Sequence, residues 1–183
     1  MLGLLDDANK SMTLDFKNES DRIYLLGTSK DDLGSSEYLR VIHDVQHSTA
    51  PSFDLEEEVA LQQTVSQLIQ KEMIASAHDI SDGGLFANLM ESSIASGLGF
   101  DINVDDSVRK DAFLFGESQS RVIVSVNRKS AEAFESFMKD SNTPFSLIGN
   151  VSGENVVIGA ENYGKIADWK FIYENTLHEH LEN

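Results

Sequence analysis

Cysteine is absent from the 183 residues, so no disulfide, thiolate nucleophile or cysteine-held zinc belongs to this chain's chemistry. Proline is nearly absent too: Pro51 and Pro144 are the only 2, and no Pro/Gly-rich linker divides the chain. Basic side chains are few, 14 Lys and Arg against 31 Asp and Glu, which leaves a formal charge of −17. That balance argues against a nucleic-acid or anionic-membrane surface, since both recruit clustered positive charge. It leaves room for a small phosphate ligand, which backbone N–H groups and a metal ion can hold locally. No apolar run approaches the ~20 residues of a membrane span. The opening Met1-Leu2-Gly3-Leu4-Leu5-Asp6-Asp7 lacks the basic region of a secretory signal. The expectation is a soluble, cytoplasmic protein.

What is present reads as globular, with 40% apolar and 25% charged residues. With no internal repeat, residues 1–183 are expected to form one domain. Ile23-Tyr24-Leu25-Leu26-Gly27 predicts a first strand. A polar loop over 28–34, a short helix over about 36–43 and a loop over 44–53 follow. A longer helix opens at Asp54, with Glu57 placed for a capping box and Leu61, Val65, Leu68 and Ile69 on one face. Glu56-Glu57-Glu58 then falls in its first turn, where the helix dipole favours negative charge, and reads as a solvated helix start. Strands are expected at 74–80, 100–104, 121–126, 145–151 and 156–159. A helix bearing Leu85, Leu89 and Met90 follows the first of these, and one bearing Phe134, Phe137 and Met138 starts at Ser130. A last helix carries Trp169, Ile172, Tyr173, Thr176 and Leu177, whose aromatics are expected to be core contacts. This order predicts an α/β (α+β) sandwich in which helices cover a mixed sheet.

Several short motifs fail on chemistry. Gly159-Ala160-Glu161-Asn162-Tyr163-Gly164-Lys165-Ile166 nearly spells a P-loop, but Ile166 stands where a hydroxyl must ligate Mg²⁺, and a loop is expected instead. His43-Asp44-Val45-Gln46-His47 has the histidine spacing of a zinc-protease helix without its general-base Glu. Both it and His178-Glu179-His180, in an expected frayed tail, read as surface histidines.

Two segments hold more. In Ala77-His78-Asp79-Ile80-Ser81-Asp82-Gly83-Gly84-Leu85, a buried strand runs through two acids, a hydroxyl and paired glycines straight into a helix. Glycines let backbone approach an oxyanion, a helix start offers N–H donors, and a carboxylate can hold a bridging Mg²⁺. A helix N-cap at Ser81 or Asp82 with a tight turn accounts for the same residues. In Phe115-Gly116-Glu117-Ser118-Gln119-Ser120-Arg121, a polar loop feeds the strongest strand. It suits either a hydrogen-bonding cradle or a plain connection with Glu117 and Arg121 paired across it.

Taken together, about thirty residues apart, these segments resemble the C-terminal domain of the phosphoribosylformylglycinamidine synthase family, within the wider aminoimidazole ribonucleotide synthetase superfamily. Tyr24-Leu25-Leu26-Gly27, Leu33-Gly34-Ser35-Ser36-Glu37-Tyr38 and the Trp169 helix extend the resemblance along the whole chain. It implies an aminoimidazole ribonucleotide synthetase C-terminal-domain-like fold, a mixed sheet with helices packed on it. It also implies part of an ATP-dependent ligase of purine biosynthesis. That enzyme converts formylglycinamide ribonucleotide, glutamine-derived ammonia and ATP to formylglycinamidine ribonucleotide, ADP and phosphate. The chain resembles only the last of four synthetase domains, so a fragment inactive alone is expected, with residues 1–7 at the hand-over from the preceding domain. By motif, Asp79 would ligate Mg²⁺, Ser81 would contact nucleotide phosphates, and Glu117, Ser118 and Gln119 would occupy the place of a phosphate grip. The resemblance assigns no catalytic residue to this chain. Implied partners are a glutaminase subunit and a small bridging subunit. The alternative is a standalone nucleotide-binding or regulatory module of the same fold without catalysis.

Overall fold

The strand β1 (Arg22–Leu26) buries four of its five residues. Ile23 and Leu25 enter one apolar cluster, Tyr24 and Leu26 another, as the two-residue period of a strand requires. β1 is thus apolar on both faces because both faces are covered. The computed structural model describes residues 7–105 and 107–182. Met1 to Asp6, within the opening segment that the resemblance uses, lie outside the described residues.

After β1 come α1 (Glu37–Ile42), α2 (Leu55–Gln70), β2 (Ser76–Asp79), α3 (Gly84–Ser96), β3 (Phe100–Ile102) and α4 (Lys110–Phe115). The chain continues through β4 (Val122–Val126), α5 (Ala131–Lys139), β5 (Phe145–Val151), β6 (Asn155–Ile158), β7 (Glu161–Lys165) and α6 (Ile166–Glu182). The sheet runs β2-β4-β1-β5-β3-β6-β7. All neighbours are antiparallel except β3 and β6, which makes it a mixed sheet. Leu61 and Leu68 of α2 and Phe134 and Met138 of α5 cover one face. Leu85, Leu89 and Ile94 of α3, Phe113 of α4 and Ile166 at the start of α6 cover the other. The expected helix-covered mixed sheet is therefore what forms. Asp54 caps α2 as anticipated, its carboxylate accepting from the N–H groups of Glu56 and Glu57 at 2.8 and 3.1 Å.

Three expectations need correction. Residues 159–166 are no loop: β7 folds back on β6 as a hairpin, with Ile158 opposite Glu161, so Lys165 lies on an edge strand and pairs with Glu154 at 2.9 Å. The last helix is not a core element along its length. Trp169 packs against Phe86 at 5.8 Å between ring centres and donates its indole N–H to the Tyr163 carbonyl at 2.9 Å. Ile172, Tyr173 and Leu177 are exposed, because α6 passes its first turns on the sheet and continues over solvent. His178 to His180 belong to this helix rather than to a frayed tail. As expected, His43 and His47 are exposed surface histidines: His43 caps the end of α1, and His47 lies beyond the helix. Among the described residues no cluster of three His, Asp or Glu could hold a metal.

Candidate functional site

Both unusual segments lie at one end of the sheet. β2 ends at Asp79 opposite Val122, where β4 begins, and β1 ends at Leu26 opposite the same Val122. Three connections leave this end together: residues 27–36, 80–83 and 116–121. Facing them across a cleft of about 1640 Å³ is α2. Asp79, Ser81, Asp82, Glu117, Gln119 and Arg121 all line the cleft. Four of the sequence-predicted site residues, Asp79, Ser81, Glu117 and Gln119, thus meet at one place. Ser118 does not line it: the residue is buried, and its hydroxyl has no hydrogen-bond partner.

The β2–α3 turn is shaped by backbone contact. Neither Ser81 nor Asp82 is the N-cap of α3; the cap is Gly83, at φ 82°, with no side-chain cap bond. Gly84 follows at φ 68°, and a Cβ there would lie 2.7 Å from the Phe115 carbonyl carbon and 2.8 Å from the Gly116 oxygen. Only glycine allows both the left-handed backbone and that approach. The turn is also sewn from within the domain by Asn88, whose buried side chain donates to the Asp79 carbonyl and accepts from the Ser81 N–H at 3.4 Å. Asn88 was not foreseen. Its signal is a polar residue at a helix position otherwise flanked by the buried Leu85 and Leu89.

Glu117 and Arg121 do not pair with each other. One oxygen of Glu117, Oε1, accepts two backbone N–H bonds, from Gly83 and from Glu37, each at 2.8 Å. Arg121 is buried, and its guanidinium donates to the carbonyls of Ser118 at 2.9 Å and Gly116 at 2.6 Å. Burial lowers its pKa to about 10, so it is cationic at neutral pH. Glu58, read from sequence as part of a solvated helix start, is a wall residue of the cleft and accepts a bond from the Ser120 hydroxyl at 2.7 Å. A usable signal existed: Glu58 precedes Leu61, Val65 and Ile69 at the spacing of one helix face.

Chemically, the cleft offers a buried cation, an exposed hydroxyl and amide, and carboxylates on its rim. Mg²⁺ usually binds through one or two carboxylates together with waters and substrate phosphates. Asp79, exposed at the cleft, fits such a bridging ion. The residues present do not make an all-protein cage.

Residues 18–160 match the family described as AIR synthase related protein, C-terminal domain. The chain belongs to that family. Among curated relatives, phosphoribosylformylglycinamidine synthase subunit PurL of Caldanaerobacter subterraneus subsp. tengcongensis is 40% identical over 158 residues, covering 86% of this chain and 22% of the relative. The same subunit of Streptomyces avermitilis is 32% identical over 177 residues, covering 97% of this chain and 24% of the relative. The chain therefore spans about a quarter of the length of these relatives. Among solved structures, T. maritima PurL complexed with FGAR superposes with a TM-score of 0.75 at 13% identity, over 89% of this chain and 30% of that one. At that identity the likeness shows the fold alone.

Proposed function

We propose that this chain serves as the C-terminal domain of the second half of a phosphoribosylformylglycinamidine synthase. The full enzyme would use ATP to activate the amide oxygen of formylglycinamide ribonucleotide and let ammonia displace the phosphate, releasing ADP and phosphate. In this reading the chain needs the remaining domains for turnover, works in the cytoplasm, and meets a glutaminase subunit and a small bridging subunit through the assembled synthetase. The carrying observation is that both motif segments converge on one cleft in a chain 40% identical to a curated synthase subunit.

Within that cleft the residues divide the work. Ser81 and Gln119 donate to nucleotide phosphate oxygens, while Arg121 supplies fixed positive charge that a low-dielectric wall screens little. The Ser118 carbonyl holds Arg121 in place, so that residue acts through the loop. Asp79 would hold a Mg²⁺ ion that arrives with the nucleotide and neutralises its phosphate charge. An amide-resolved NMR titration of the chain with Mg²⁺-ADP, then with formylglycinamide ribonucleotide, tests this. Saturable shifts confined to residues 79–84 and 116–121 are expected, with no turnover of ATP and ammonia by the chain alone. No shift at millimolar ligand, or enzyme-like turnover by the chain, contradicts the reading.

A further inference from the structure

The carboxylate of Glu117 sits where three connections meet, and its bonds run to two of them. Gly83 N–H belongs to the β2–α3 turn and Glu37 N–H to the first residue of α1; both converge on the same oxygen at 2.8 Å. Neither donor is near Glu117 in sequence, the separations being 34 and 80 residues. The tie matters because α1 buries none of its residues. Its other attachments are local or thin: the Ser36 cap, at 3.3 Å to the Leu39 N–H, and the Tyr38 ring stacked on Phe115 at 4.9 Å. Ahead of α1, Gly34 and Ser35 are cleft residues, as Ser81 is on the turn side. A carboxylate facing a phosphate would repel it, and it has no hydrogen to donate.

We propose that Glu117 is a positioning residue: through one carboxylate oxygen it couples the β1–α1 segment to the β2–α3 turn, and it sets the placement of Asp79 and Ser81 instead of touching the ligand. The proposal rests on the nucleotide reading of the cleft only for its effect on affinity; the coupling itself belongs to the ligand-free chain.

Two variants separate these parts. Glu117→Gln keeps an oxygen acceptor and loses the charge, whereas Glu117→Ala loses both. Amide exchange at Gly83 and Glu37 is measured by NMR in the ligand-free chain and each variant, followed by Mg²⁺-ADP titration. Loss of a hydrogen bond to a charged group is expected to speed exchange at both amides by about tenfold in Glu117→Ala, with Glu117→Gln within about threefold of the parent. Affinity for Mg²⁺-ADP is expected to fall about tenfold in the alanine variant and to be retained in the glutamine variant. Unchanged exchange at Gly83 and Glu37 in Glu117→Ala overturns the coupling, whatever the ligand result. Protected amides in Glu117→Gln together with alanine-like loss of Mg²⁺-ADP binding overturn it in favour of direct contact with metal or nucleotide. If the parent binds no nucleotide, the reading of the cleft fails while the exchange data still decide the coupling.

Discussion

At one end of the sheet, β1, β2 and β4 meet loops bound by side chains from several directions: Glu117 to Gly83 and Glu37, Arg121 to Gly116 and Ser118, and Ser120 to Glu58. At the far edge, β7 exposes all five of its residues, and α6 carries Phe171 and Leu177 at 65% and 71% exposure. In the first region Glu117 and Ser120 find partners on distant segments and Arg121 on its own loop, while the Ser118 hydroxyl stays unpaired, so its shape is set largely by bonds between distant parts of this chain. The second presents apolar surface that contributes little to this chain's own stability, because burial is what makes such surface stabilising. Polar residues here mark the better-determined place, and large apolar ones the less determined.

This contrast can be broken by substitution. The largest effect is expected in the covered strand: Leu25→Ala removes a side chain that is 2% exposed and should cost about 3 kcal/mol, read by urea unfolding. A loss under about 1 kcal/mol would mean that β1 is not the packed centre of the sheet. Next come two glycines with the same backbone sign and different surroundings. Gly84→Ala meets backbone atoms at 2.7–2.9 Å, whereas Gly164, at φ 91°, has open space around it. The first should cost about 2–3 kcal/mol and the second about 1; equal losses would erase the distinction between the two ends.

A smaller effect concerns Asp21, which is buried just ahead of β1 and bonded by Asn18 at 3.1 Å. Burial raises its carboxyl pKa above the ordinary 3.8. Between 3.8 and that raised value the folded state binds more protons than the unfolded one, so this group's contribution falls as pH rises through the window and stays low above it. The difference in melting temperature between Asp21→Asn and the parent is therefore expected to be more favourable to the variant at pH 7 than in acid. An unchanged melting temperature at both pH values would show that the carboxylate is not penalised by burial. The smallest effect belongs to α6: Leu177→Ser should change stability by no more than about 0.5 kcal/mol in the isolated chain. A larger loss would mean that this helix is packed in solution.

Local chemistry made part of this legible in sequence. The β1 run, the Asp54 cap and the span of β5 follow from residues close together in the chain, and the structure agrees with each. The meeting of the two motif segments was legible only through resemblance, since no spacing states that residues 79 and 122 are opposite each other. Of the two sequence readings of residues 115–121, the one that pairs Glu117 with Arg121 rests on opposite charges four apart. The structure instead gives Glu117 two backbone donors and Arg121 two carbonyls, partners that appear only once three loops have converged. On α6, Trp169 packs on the core as expected, while Ile172, Tyr173 and Leu177 do not, because helical spacing says that a face is apolar, not whether anything covers it.

The tied end of the sheet is the part of the molecule expected to respond to nucleotide. Hydrogen–deuterium exchange by mass spectrometry on the chain, with and without saturating Mg²⁺-ADP, tests that directly. Slower exchange over residues 79–84 and 116–121, with residues 159–177 unchanged, is the expected result. Protection centred on β7 and α6, or none anywhere, would contradict it.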